Sequence, residues 1–210
     1  MGGDPVGLGL VASLNRPGGN LTGVFVLGAE TAAKRLELLH KVVPAAESIA
    51  MLSSANTSSY AGSQAEVRNA QSAARTLGLR LLPFNVTTDN ELAAAFATLV
   101  ERQAGAVLVG SSTRLSPRTD QIISLAARYR LPTMFAYDIP AREGGLFSYG
   151  PVVSESARVA GGYIGRILKG EKPADLPVQL STRYQFIINL KTAKALTLEI
   201  PPLLLALLIE

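Results

Sequence analysis

Three short stretches gather the side chains able to hold a small polar molecule. They are Ser54, Asn56, Ser58 and Ser59; Ser111, Ser112 and Thr113; and Tyr137 followed by Asp138. Hydroxyls, together with free backbone N–H groups at a helix start, suit a carboxylate. An aspartate such as Asp138 suits an ammonium group through a charge-assisted bond. A tyrosine offers a flat apolar body with one polar tip, so Tyr137 would pack on the ligand's apolar part. The set fits a small zwitterion, an amino-acid-like ligand. Each residue also has a purely structural use, because Ser, Thr, Asn and Asp are ordinary helix caps. Ser116 and Asp89 read as caps alone. Asp138 stands apart, since Tyr137-Asp138 closes a strand just before Ile139-Pro140 with little helix left to cap.

Reactive chemistry lacks material. There is no cysteine, and the single histidine, His40, sits near a predicted helix C-terminus, where it caps carbonyls or faces water. No G-x-S-x-G nucleophile turn and no G-x-x-x-x-G-K-[ST] phosphate loop occurs. A metal site would have to be built of oxygens, and no carboxylate cluster supports one. Gly7-Leu8-Gly9-Leu10-Val11-Ala12 matches the dinucleotide fingerprint G-x-G-x-x-A. That fingerprint works in the turn directly after a strand, whereas Asp4 and Pro5 already open a helix here, predicted over 5–14. The residues argue for binding without catalysis, metal or cofactor.

The elements that would position these groups follow a regular order. "LTGVFVL" (21–27), "SIAMLSS" (48–54), "RLLPFNV" (80–86), "GAVLVG" (105–110) and "PTMFAY" (132–137) read as strands. Between them lie amphipathic stretches: "TAAKRLELLHKVV", a long helix from Tyr60 to Leu77, "NELAAAFATLVER" and a helix over 117–130. Thr88 and Glu91 form a capping-box pair, and Pro83 marks an edge strand. Alternation at this spacing predicts an α/β fold with a doubly wound parallel sheet. A helix from Ser154 to Lys169 follows, with Ala157, Ala160, Gly161, Ile164 and Leu168 on its inner face. After a Pro-containing loop come the strand "YQFIINL" and a short helix from Lys191. In such a sheet ligands bind beyond the carboxyl ends of the strands, which is where the three polar stretches fall.

Bulk properties narrow the partners. The 210 residues are 48% hydrophobic, enough for a buried core and incompatible with a disordered chain. The 20 basic residues are scattered and give a net charge of only +4, without the basic stripe that nucleic acid requires. The terminal run "PPLLLALLIE" is much shorter than the roughly 20 residues a membrane helix needs. The N-terminus lacks the basic and apolar regions of a signal peptide.

Several stretches together resemble one family, the bacterial ABC-transporter substrate-binding proteins of the tryptophan/tyrosine-binding-like group. They are "GGDPVGLGLVASLNRPGGNLTGV", "KRLELLHKVVP", "AARTLGLRL", "GGLFSYGPV", "ILKGEKPADLPV" and "INLKTAKALTLEIPP". The resemblance implies a periplasmic-binding-protein type I-like fold, in which two α/β lobes close on a ligand. It implies an essentially complete lobe over 21–148 with 177–210, and remnants of a truncated first lobe over 1–20 and 149–176. Ser54 to Ser59, Ser111 to Thr113 and Tyr137-Asp138 would face the cleft from one lobe, Gly3 and Asp4 from the other. The implied partners are an amino-acid-like ligand and the membrane permease of an ABC importer, with a periplasmic or extracytoplasmic location for the full-length protein. The terminal "LLLALLIE" departs from the polar end usual in the family. A sensory or regulatory effector domain of the same fold is the alternative. Helices over 5–14 and 154–168 without a covering sheet would expose apolar faces, so self-association is expected.

Overall fold

A computed structural model describes residues 4–29, 31–54, 60–112 and 114–206. Its strands are β1 (Val24–Phe25), β2 (Ser48–Ser53), β3 (Arg80–Asn85), β4 (Ala106–Val109), β5 (Thr133–Phe135), β6 (Phe147–Pro151), β7 (Gln179–Leu180) and β8 (Tyr184–Ile188). Its helices are α1 (Thr31–Val42), α2 (Tyr60–Thr76), α3 (Asp89–Glu101), α4 (Thr119–Arg128), α5 (Asp138–Arg142), α6 (Val153–Leu168), α7 (Leu190–Ala195) and α8 (Pro202–Leu205). They form two compact units, Met1–Leu27 with Pro151–Tyr184 and Gly28–Gly150 with Gln185–Glu210. Segments 21–27 and 177–184 therefore pack in the smaller unit.

The larger unit holds a six-stranded sheet in the order β3-β2-β4-β5-β6-β8, with β3, β2, β4, β5 and β6 parallel. Side chains alternate faces along each strand, so β2 sends Ile49 and Met51 to one side and Ala50 and Leu52 to the other. On the first side Leu36, Leu39 and Val42 of α1 and Ala70 and Ala74 of α2 cover Met51, Leu108, Met134 and Phe147. On the second, Leu92, Phe96 and Leu99 of α3 and Ile122 and Ala126 of α4 cover Leu52, Val107, Val109 and Phe135. Covering both faces explains why β4 is buried at every position. Pro83 lies on β3, the sheet's edge, where its missing N–H breaks no ladder. The Thr88–Glu91 capping box is present at the start of α3.

The smaller unit is thinner. Its sheet is the parallel pair β1–β7, so the strand expected over 21–27 shrinks to Val24–Phe25 and joins no larger sheet. Thr22 donates its hydroxyl to the Leu176 carbonyl at 2.6 Å, and the Val178 amide donates to the Leu14 carbonyl at 2.7 Å. Residues 5–14 form turns rather than the expected helix. Asp4 does act as an N-cap, accepting from the Val6 amide at 3.0 Å, and one α-type turn closes from Leu8 N–H to Asp4 O. Gly9 then adopts φ +67°, which ends the helix after that single turn. Along α6 the buried side chain is Tyr163, whose hydroxyl donates to the Pro177 carbonyl at 2.6 Å. Ile164 and Leu168, expected on an inner face, are 59% and 83% exposed.

Candidate functional site

The registers of the larger sheet bring three strand ends to one edge. Leu52 pairs with Val109, so Ser54 and Ser111 lie two residues beyond a matched pair; Leu108 pairs with Met134, which sets Tyr137 beside Ser111. The Tyr137 hydroxyl reaches the Ser111 carbonyl at 3.4 Å. Ser54 is fully buried, and its Oγ has no hydrogen-bond partner among the described residues. The Ser54 carbonyl accepts from the Ser63 hydroxyl at 3.2 Å, which ties the end of β2 to α2.

Other groups at this edge are already engaged. Ser112 Oγ accepts from the Arg114 amide at 3.2 Å, so this buried serine caps its own turn. Asp138 opens the five-residue α5, where little helix was expected, and its Oδ2 accepts from Arg142 Nε at 3.2 Å. Arg142 is largely exposed while Asp138 is only partly so, which leaves the carboxylate able to exchange that partner for another cation. Burial pushes the Tyr137 phenol above its ordinary range; the charge of Glu66 adds to the rise and that of Arg35 opposes it. Between Gly110, Ser112, Leu115, Phe135, Tyr137 and Pro140 lies a hollow of ≈ 20 Å³, room for about one water.

Beneath the edge is a buried ion pair that the residue pattern did not single out. Arg35 of α1 and Glu66 of α2 are 0% and 2% exposed and contact each other directly. Arg35 Nη1 also donates to the Val109 carbonyl at 2.7 Å. Glu66 accepts from the Ser111 amide at 3.0 Å and from the Ser111 hydroxyl at 3.1 Å. The signal lay in helical spacing. Glu66 precedes the buried Ala70 and Ala74 by four and eight positions, and Arg35 precedes the buried Leu39 and Val42 by four and seven. Opposite charges on the apolar stripes of two consecutive helices mark a buried pair.

Of the predicted residues, Ser54, Ser111, Ser112, Tyr137 and Asp138 thus share one sheet edge. Asp4 belongs to the smaller unit, where its carboxylate caps the turn at Val6. Gly3, Asn56, Ser58, Ser59 and Thr113 lie outside the described residues. Among the described residues no group of three or more His, Cys, Asp or Glu is placed to hold a metal ion, and no helix is long and apolar enough to cross a membrane.

A parallel sheet whose carboxyl edge gathers hydroxyls, a phenol and a carboxylate has the character of a small-solute binder. The family model for ABC transporter substrate binding proteins matches residues 1–209, and the chain belongs to that family. A tyrosine-binding protein from Clostridioides difficile strain R20291 is 28% identical over 93% of this chain, which spans 55% of that relative's length. An ABC domain from Streptococcus pneumoniae solved in complex with L-Trp superposes with a TM-score of 0.83 at 29% identity, covering 98% of this chain and 69% of that one. A ligand-free, open substrate-binding protein with adhesive properties from Clostridium difficile gives 0.67 at 27% identity, over 94% and 65% of the two chains. The fold is thus the periplasmic-binding-protein type I-like α/β fold, and the family and these relatives are substrate-binding proteins rather than enzymes.

Proposed function

We propose that this chain supplies the ligand-binding edge of an extracytoplasmic solute-capture protein that takes an amino-acid-like molecule and delivers it to the permease of an ABC importer. The observation that carries the reading is the shared edge: Ser54, Ser111, Ser112, Tyr137 and Asp138 meet at the ends of three adjacent parallel strands. In this reading the larger unit is the ligand-binding lobe. Asp138 holds the ligand ammonium in place of Arg142, backbone amides beyond the strand ends receive the carboxylate, and Tyr137 packs against the side chain. Hinge closure around the ligand, not bond making, is the working step.

The reading finds support in relatives described as binding tyrosine and tryptophan. Calorimetry of the full chain against L-tyrosine, L-tryptophan and, as a control, D-ribose tests it. Binding of at least one aromatic amino acid, weakened roughly ten- to a hundredfold in Asp138→Ala, is the expected result. Heat with ribose alone, or with none of the three, overturns it.

A further inference from the structure

The geometry points to Glu66 as the positioning residue of this edge: its carboxylate, anchored by Arg35, fixes the Ser111-Ser112 turn and through it the phenol of Tyr137. The inference rests on the ligand-binding reading above and adds a residue that need not touch the ligand.

The argument begins with an energetic mismatch. Two charges removed from water carry a desolvation cost that their attraction only partly offsets, and apolar side chains of similar volume often serve stability as well or better. Arg35 and Glu66 nevertheless occupy stripe positions among Ala32, Leu39 and Ala70, where leucine or methionine would pack. What the charged pair supplies and a hydrocarbon cannot is direction. Arg35 Nη1 grips the last carbonyl of β4 at Val109, and Glu66 takes both donors of Ser111, two residues further on. The polypeptide leaving β4 is thereby held on both sides of Gly110. A Cβ at position 110 would stand 3.2 Å from Glu66 Oε2 and 2.9 Å from the Leu52 carbonyl, so glycine is what permits the carboxylate to come this close.

Consequences follow for the ligand side. With its amide and hydroxyl hydrogens committed to Glu66, Ser111 has only acceptor capacity left to offer. Its carbonyl is the acceptor for the Tyr137 hydroxyl. Glu66, Ser111 and Tyr137 thus form a chain in which a buried carboxylate on α2 determines where an aromatic surface at the end of β5 stands. A one-ångström displacement of such a surface is enough to lose much of a bound ligand's contact.

The test separates positioning from stability. In the full chain, the paired replacement Arg35→Met with Glu66→Leu removes both charges and keeps the volume, while Glu66→Gln keeps the shape and one acceptor. Thermal unfolding of the double variant is expected within a few degrees of the starting protein, while its affinity for the amino acid identified above falls at least tenfold. Glu66→Gln is expected to speed hydrogen exchange at the Ser111 amide at least tenfold with the β2 and β4 amides unchanged, and to lower the pH at which Tyr137 ionises. Unchanged affinity in both variants, or affinity lost only in proportion to stability, overturns the inference. Should the unaltered chain bind no amino acid, the functional reading falls instead. Slow Ser111 exchange in Glu66→Gln would then overturn the positioning role, and fast exchange would uphold it for the turn itself.

Discussion

In the larger unit the amphipathic helices α1 to α4 meet a sheet face, whereas in the smaller unit α6 has only a two-stranded ribbon beside its sequence partners. The larger unit fully buries Leu36, Leu39, Phe96 and Leu99 against both faces of its sheet. The smaller unit buries Val11, Tyr163, Leu176 and Val178, while Val6, Leu8, Leu10, Ile164 and Leu168 stand exposed among its described residues. Two paired strands offer too little surface to cover a 16-residue helix. An apolar stripe specifies that an element wants a partner, and the supply of sheet decides whether it has one.

The largest effect should come from breaking the better-packed side. Phe96→Ala empties a fully buried ring position and is expected to cost about 3–5 kcal/mol, read as a lower urea midpoint. Leu168→Ala, at a side chain 83% exposed, should change stability by no more than about 0.5 kcal/mol. Equal losses, measured below the concentration at which chains associate, would mean that the contrast between the units is false.

Next in size is binding. Asp138→Ala in the larger unit removes a charge-assisted bond worth about 1.5–3 kcal/mol, a loss of roughly ten- to a hundredfold in affinity for an amino acid. Asp175→Ala, an exposed carboxylate of the smaller unit, should leave the affinity unchanged by calorimetry. A reversed ranking would move the site off the larger unit's edge.

The exposed stripe of α6 makes a separate expectation about assembly. Light scattering at micromolar concentration should give a mass above the 22.1 kDa of one chain, and Ile164→Lys with Leu168→Lys should return it toward that value. A monomeric mass before any substitution would show that the uncovered helix does not drive association.

The same contrast explains what could be read from the residues. β4 and the helices around it were legible because "GAVLVG" and the Leu-rich helical spacing admit one arrangement, an apolar strand covered on both faces. Ser54, Ser111 and Tyr137 could be found because the carboxyl edge of a parallel sheet is fixed once the strands are known. The helix over 5–14 misled, since Asp4 and Pro5 give a valid start while Gly7 and Gly9 remove the support for a second turn. The apolar stripe of α6 is legible from its periodicity, and the exposure of Ile164 and Leu168 follows the expectation for a helix without a covering sheet, because the partner surface is not encoded in the helix itself. Glu66 escaped notice because a single carboxylate in a polar-rich helix looks solvated until the packing of Ala70 and Ala74 is known. The five-residue α5 escaped because Pro140 reads as a helix breaker, yet within a first turn its missing N–H costs nothing.

The smallest effect concerns acid, and it sets one carboxyl of the larger unit against two of the smaller. In the larger unit the Glu91 carboxyl is held below its ordinary range first by the Thr87 hydroxyl and then by the Thr87 and Thr88 amides, all neutral donors. In the smaller unit Glu155 and Glu171 are held low by Arg158 and Arg166 on the surface. A carboxyl whose folded pKa lies below its unfolded value contributes stability that is present above about 4.5 and is lost as the pH falls through the folded value. Glu91→Gln should therefore unfold more easily than the unaltered chain at pH 7, and the difference should narrow as the pH falls below about 4.5. Added salt screens the charge pairs of Glu155 and Glu171 but not hydrogen bonds from neutral donors. At about 1 M salt the Glu91→Gln difference should persist, while Glu155→Gln and Glu171→Gln become indistinguishable from the parent chain. A Glu91→Gln difference that disappears in salt would show that charge, rather than the capping hydrogen bonds, is what holds the start of α3.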